Sequence, residues 1–327
     1  MLDFLNYNNY LLIILYIYKK EIVLKYTRPL IKYIFILFTY IFLSYTSAVA
    51  VTYADYEVAL EGSQKLQIKG TSKGDGRPLD AYLYKPEGPG PFPALVALHG
   101  AGGIFPYQLW WAKEISKKGY VVIFIDHYCT RGHLCEVESG DEDPARGKIM
   151  KKWQDVSPQT RLMDAVAAYA WLSNKPYVLN NKIGLIGWSW GGTVALYAQK
   201  WRQRLSLPNG GFKATIAFYP NLKYALKDPR ASRQWSQGGG IKQPTLILYG
   251  KKDVLESEDA YQKLISEDHS NKIIVIGFDG AYRKYDELGS HREKYHPSVG
   301  YFLKGFQQEA FDDSVREISK FLQVHHQ

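Results

Sequence analysis

Residues 183–194 read Ile-Gly-Leu-Ile-Gly-Trp-Ser-Trp-Gly-Gly-Thr-Val, an apolar run that breaks at a serine and continues into helix formers. A hydroxyl in the pattern Gly187-x-Ser189-x-Gly191 suits nucleophilic attack on a carbonyl, provided a strand turns sharply into a helix there. Such a turn holds the serine out at the sheet edge. It also directs the unpaired N–H groups of the helix N-terminus at whatever the serine attacks. Glycine on either side lets strand and helix meet closely. Alone, the pattern is equally an ordinary glycine-rich turn, and its weight comes from partners in the right chain order.

A serine hydroxyl is a poor nucleophile until a base takes its proton, an acid must hold that base, and the oxyanion needs fixed donors. The Trp190 N–H is one expected donor. The second is an amide of the segment His99-Gly100-Ala101-Gly102-Gly103, with Ala101 preferred and Gly100 or Gly102 as alternatives. His99 then reads as a loop-shaping residue, not a base. Asp253 follows the apolar run Thr245–Tyr249 and Gly250, and is the expected acid; a solvated turn aspartate is the alternative. Arg131, beyond the end of another apolar run, suits an acidic or carbonyl group on a substrate, and a structural salt bridge suits it equally. Tyr107, Trp110, Trp111, Trp188 and Trp190 are candidates for an apolar pocket, about half of them expected in the core.

These residues need a scaffold with strand ends gathered at one edge. Short strands are expected at Lys65–Lys69, Leu79–Lys85, Ala94–Leu98, Tyr120–Ile125, Lys182–Ile186, Ala214–Phe218, Thr245–Tyr249 and Lys272–Ile276. Most are continuous apolar runs, as expected of strands buried on both faces. Helices are expected at Trp110–Lys118, from the Ser157 cap and Pro158 to Leu172, after Ser189, and at Phe306–Leu322. Alternation of this kind predicts an α/β class with a mostly parallel sheet covered on both faces. Active groups in such sheets collect at the carboxyl ends of the strands.

The spaced motifs taken together resemble the dienelactone hydrolase family of the α/β-hydrolase superfamily, in its serine-nucleophile form. The matching pieces are Pro91-Phe92-Pro93 ahead of His99-Gly100, Gly119-Tyr120, Asp126 with Arg131-Gly132, Gly187-Trp188-Ser189-Trp190-Gly191-Gly192, Gly250 with Asp253, and Gly280-Ala281-Tyr282. They span about residues 65–325. The resemblance implies the α/β-hydrolase fold, cleavage of a carboxylic ester or lactone through an acyl-enzyme, and no metal or organic cofactor. It also implies a histidine directly after Gly-Ala-Tyr, and here that position is Arg283, with Tyr285-Asp286 keeping the rest of the pattern. Arginine is not a general base at any ordinary pH. His291, or failing it His296, is the expected substitute, and surface histidines are the bland alternative for both. The competing expectation is a catalytically impaired member acting as a binding protein.

Composition bounds the rest. The 327 residues carry a formal charge of +9, of which residues 1–50 contribute five basic and two acidic side chains, leaving a dispersed +6. No nucleic-acid footprint is visible in that spread. Lys25–Lys32 is basic, Tyr33–Leu43 almost wholly apolar, and Ala48-Val49-Ala50 fits a cleavage site. Residues 1–50 therefore read as a signal peptide, or failing cleavage as a membrane anchor, with one domain at 51–327 working outside the cytoplasm. The expected partner is a small ester or lactone, with membrane contact only through an uncleaved N-terminus. Cys129 and Cys135 form the only cysteine pair, either a disulfide in an oxidising compartment or two thiols in a loop.

Overall fold

A computed structural model describes residues 58, 60–133, 156–201, 205–222, 241–268, 270–288, 291–296 and 300–326. The expected presequence, residues 1–50, lies outside them, as do Cys135 and with it the expected pairing to Cys129.

Eight strands form one sheet in the order β1-β2-β4-β3-β5-β6-β7-β8. They are β1 (Ser63–Ile68), β2 (Leu79–Tyr84), β3 (Phe92–Leu98), β4 (Val121–Ile125), β5 (Val178–Trp188), β6 (Thr215–Phe218), β7 (Thr245–Gly250) and β8 (Ile273–Phe278). Pairs β1–β2 and β2–β4 are antiparallel, and every pair from β4 through to β8 is parallel. All of the strands expected from the apolar runs are present. Residues Ala94–Leu98 and the whole of β4 and β7 are buried, as continuous apolar composition requires of central strands.

The helices are α1 (Pro106–Lys117), α2 (Pro158–Ser173), α3 (Trp190–Lys200), α4 (Glu258–Glu267) and α5 (Gln308–His325). On one side of the sheet Trp111 of α1, Tyr261 and Leu264 of α4, and Phe311 and Ile318 of α5 share a core with Phe218 and Leu248. On the other, Leu162, Ala165 and Tyr169 of α2 and Val194 of α3 pack with Val96, Ile123 and Leu185. Helix α2 starts as its sequence predicts, with Ser157 Oγ accepting from Thr160 N and Pro158 at the first helical position.

Two features escape the sequence pattern. Helix α4 turns only Tyr261 and Leu264 fully inward, so its apolar stripe is narrow. The hairpin of β9 (His291–His296) and β10 (Gly300–Gly305) opens on His-Arg-Glu-Lys-Tyr-His, which lacks apolar alternation.

The chain end is locked under the sheet. His326 is buried, donates from Nε2 to the Ala94 carbonyl at 3.1 Å, and stacks on Tyr120 with ring centroids 5.9 Å apart. Burial pulls its imidazole down to about 4. The unfolded chain, with an ordinary histidine near 6.5, therefore binds more protons between those two values, so stability falls as pH drops through that window and is flat above it. We expect urea unfolding of the protein to lose roughly 2 kcal/mol between pH 7 and pH 4.5 from this residue. His326→Gln should flatten that part of the pH dependence; an unchanged slope would refute the assignment.

Candidate active site

The elbow is built as the sequence requires. Strand β5 ends at Trp188, α3 begins at Trp190, and Ser189 between them holds φ 53° and ψ −115°. A non-glycine residue in that conformation stores on the order of 1–3 kcal/mol and persists only where its surroundings over-determine it. Ser189 N donates to the Phe218 carbonyl at 2.9 Å, and Thr193 N to the Ser189 carbonyl at 3.0 Å. A Cβ on Gly191 would stand 2.0 Å from the Leu98 carbonyl oxygen, and one on Gly187 2.5 Å from the Gly191 carbonyl. Both glycines are therefore obligatory for the close approach of β5, α3 and β3. The serine itself is half-buried.

Asp253 follows β7 and is 6% exposed. Its Oδ1 accepts from Leu255 N at 2.9 Å. The Lys251 and Lys252 amides donate to the carbonyls of Phe278 and Ala281, tying this turn to the segment after β8. Next in that segment comes Arg283.

Arg283 fills the seat of the base. Nη1 donates to Asp253 Oδ2 at 2.6 Å and Nη2 donates to Ser189 Oγ at 2.7 Å. Serine, cation and carboxylate form one chain of hydrogen bonds, with a guanidinium where a triad has an imidazole. Arg283 is 5% exposed. Burial pushes its basicity down, but the Asp253 charge and hydrogen bond outweigh that and leave it raised. In this geometry the side chain that Asp253 Oδ2 holds is that of Arg283. His291 and His296 open and close β9, and their side chains lie outside the described residues. Lys304 of β10 bridges to Arg283 on one side and pairs with Arg292 on the other. The backbone of β9 thus runs two strand spacings, roughly 10 Å, from that of Arg283.

Below the cation lies a polar network that sequence reasoning did not find. Asp286 is fully buried and accepts from Trp188 Nε1 at 2.9 Å and Tyr219 Oη at 2.8 Å. Burial raises its carboxyl to about 7, against the pull of those two donors. The Tyr219 ring centre lies 5.1 Å from the Arg283 guanidinium carbon, within cation–π range. Trp188 itself is stacked between Phe124 and Phe218, so it belongs to the core and not to a pocket. The retained Tyr285-Asp286 pair was the available signal for this network.

The loop after β3 lies against the nucleophile: a Cβ on Gly100 would come within 3.5 Å of Ser189 Cβ. Arg161 Nη2 donates to the carbonyls of His99 at 2.6 Å and Gly100 at 3.2 Å. His99 Nε2 accepts from His127 N, so His99 shapes the loop as expected. A trans peptide sets its N–H opposite its C=O, so the Gly100 carbonyl on Arg161 turns the Ala101 N–H away from Arg161. Tyr128 Oη donates to the Ala101 carbonyl at 2.9 Å and fixes the next peptide. Trp190 is the first residue of α3 and follows Ser189 directly.

Arg131 is not placed for a ligand. Its Nε and Nη2 donate to Asp75 at 2.6 and 2.9 Å, Nη1 and Nη2 to Asp164 at 2.9 and 2.8 Å, and Nη1 to the His127 carbonyl at 2.7 Å. A guanidinium has five N–H groups and all are committed here, so of the two readings the salt bridge holds. His127 Nδ1 shares Asp164 at 2.7 Å. Burial drives the His127 imidazole well down, so it is a neutral structural donor.

A model described as the dienelactone hydrolase family matches residues 79–282. A Bradyrhizobium protein named probable 2-oxo-3-(5-oxofuran-2-ylidene)propanoate lactonase is 25% identical over 177 residues. That match takes in 53% of this chain and 64% of the relative, so the chain spans a little under two thirds of that relative's length. Among solved structures, a dienelactone hydrolase from Anabaena variabilis superimposes with TM-score 0.55 at 17% identity, covering 82% of this chain and 100% of that one. Thermogutta terrifontis esterase 2, phosphorylated by paraoxon, does so with TM-score 0.54 at 16% identity, covering 81% and 95%. At such identities the structural likeness speaks for the α/β-hydrolase fold. The Ser189 elbow, the Asp253 turn and the His99–Gly103 loop thus stand on the expected scaffold, and the chain belongs to the dienelactone hydrolase family of α/β hydrolases.

Proposed function

We propose that this family member binds an ester- or lactone-like carbonyl compound at the elbow without the rapid acyl-enzyme turnover of an intact triad. One observation carries the reading: Arg283 is hydrogen bonded to both Ser189 and Asp253. For Ser189 to attack, its proton must leave, and the group against its oxygen already holds every proton it can hold. Arg283 donates to Oγ, which leaves the serine O–H itself free to donate outward. Together with the amides of Trp190 and Ala101, that hydroxyl forms a cluster of donors suited to a carbonyl oxygen. Asp253 keeps the cation in place and neutralises it. The lactonase name of the Bradyrhizobium relative supports a lactone as the ligand class. Export, as the N-terminal sequence suggests, would place the binder outside the cytoplasm.

A fluorophosphonate probe separates this from a hydrolase that draws its base from His291. An activated serine reacts covalently, whereas Ser189 in the present geometry should label no faster than an ordinary surface serine. Lactones that bind should raise the melting temperature and be recovered unchanged. Rapid labelling that disappears in Ser189→Ala would sink the proposal, and loss of that labelling in His291→Ala would identify the base.

A further inference from the structure

The buried acids Asp253 and Glu287 each meet a cation. Asp253 accepts from Arg283 at 2.6 Å, and Glu287 faces Lys284 at 3.0 Å and Lys304 at 3.2 Å. Among the described residues no cation bonds to Asp286, whose side-chain donors, Trp188 Nε1 and Tyr219 Oη, are both neutral. An ion in that setting is costly, and burial, with a smaller push from the Glu287 charge, raises the carboxyl to about 7. The hydrogen bonds continue from Tyr219 Oη to Tyr107 Oη at 3.3 Å, where either hydroxyl can donate, and Gln108 Nε2 donates to Tyr107 at 3.4 Å. Burial holds the phenols of Tyr107, Tyr219 and Tyr285 well above their ordinary range, so each keeps its proton. Tyr285 stands outside this chain, on Ser314 of α5 at 2.9 Å. Asp286 is therefore the member of the chain that exchanges a proton near neutrality. Tyr219 is strained as well. Its φ of 35° lies in the left-handed region, which a bulky aromatic residue occupies only when held there. Its N–H donates to the Leu248 carbonyl at 2.6 Å, its hydroxyl to Asp286, and its ring lies against Arg283.

We propose that Asp286 sets the hold on Arg283 according to pH, an inference that rests on the ligand site proposed above. When ionised, the carboxylate accepts from Tyr219, and Tyr107 donates to Tyr219 in turn. That arrangement keeps the Tyr219 ring electron-rich and adds a negative charge at its edge, and both attract the guanidinium. On taking up one proton, the carboxyl donates to Tyr219 Oη, and the Tyr219 proton turns to Tyr107 Oη. The negative charge is gone, the ring offers less to the cation, and the bond that anchors the strained residue has reversed. Arg283 then grips Ser189 Oγ less firmly, and the ligand loses part of its donor cluster. Proton uptake and ligand binding therefore oppose each other, and reciprocity requires bound ligand to keep Asp286 ionised.

Two signals read this in the free full chain by nitrogen–proton NMR: the Trp188 indole N–H, which is bonded to Asp286, and the Arg283 Nε–H. Between about pH 8 and pH 6 both should shift with one common midpoint, and the Arg283 signal should exchange faster with water in the acid form. Asp286→Asn presents an amide N–H₂ where the acid has its O–H, so it should fix both signals near their acid positions throughout. Tyr219→Phe removes a donor that stabilises the carboxylate, so it should move the Trp188 midpoint upward. The dissociation constant of dihydrocoumarin, read by calorimetry, should rise about fivefold from the alkaline to the acid end in the parent and stay level in Asp286→Asn. A Trp188 signal without a transition, or an Arg283 signal that does not follow it, overturns the proposal. So does a transition that persists in Asp286→Asn, or a lactone affinity that is level with pH in the parent. If dihydrocoumarin binds at no pH while the two signals move together, the lactone reading fails and the coupling of Asp286 to Arg283 stands.

Discussion

Arg283→His is expected to raise hydrolysis of p-nitrophenyl acetate by about 10²-fold or more, the usual contribution of a positioned general base. Everything such a base needs is already present. The elbow holds Ser189 in its strained conformation, Asp253 offers Oδ2, and the His99–Gly103 loop packs against the serine. Guanidinium and imidazole both present two nitrogens in a 1,3 relation, one toward the carboxylate and one toward the hydroxyl. What differs is the proton: imidazole releases and accepts one near neutral pH, and guanidinium does not. The gained activity should therefore rise with pH through an apparent pKa near that of histidine, a signature that a merely altered pocket would not produce. The Arg283→His rate should vanish in Ser189→Ala. A folded variant with no gain, measured with fluorophosphonate labelling alongside, would show that the defect lies elsewhere than position 283.

The sequence made the frame legible because the frame obeys simple periodicity. Continuous apolar runs marked the central strands of the sheet, and the Ser157-Pro158 pair marked the start of α2. Ser189, Asp253 and the His99–Gly103 loop were readable because their positions follow from strand ends and glycine spacing. Arg283 was readable as a missing histidine, but not as its occupant. That an arginine can lie between a serine and an aspartate depends on a backbone path no spacing encodes. Arg131 stayed open between two readings for a related reason: Asp75 and Asp164 are distant in sequence, and only the fold delivers both carboxylates to one guanidinium. The Asp286–Tyr219 contact was missed because Asp286 was read only as part of the family pattern and Tyr219 is unremarkable alone; their meaning is the contact between them.

Asp253→Ala is expected to cost about 3–5 kcal/mol of stability, the scale for stripping the partner from a buried ion pair. In a histidine triad the same change leaves a neutral imidazole, which tolerates burial, and the main loss is rate. Here it leaves a permanent cation, 5% exposed, whose one carboxylate contact among the described residues is the 2.6 Å bond to Asp253. The Tyr219 ring offers a cation–π contact worth about 1–2 kcal/mol, too little to offset the desolvated charge. Asp253→Ala also frees Leu255 N, but that donor sits in a turn where water substitutes at small cost. Removing both charges in Asp253→Ala/Arg283→Met should recover much of the loss, because no unpaired ion remains. The coupling from the double-mutant cycle, read by urea unfolding, should thus be several times that of the exposed pair Lys263–Glu267, where solvent screens the charges. A single-mutant loss below about 1 kcal/mol would mean that water reaches the guanidinium, and Arg283 would then have room to swing off Ser189 and let another base approach.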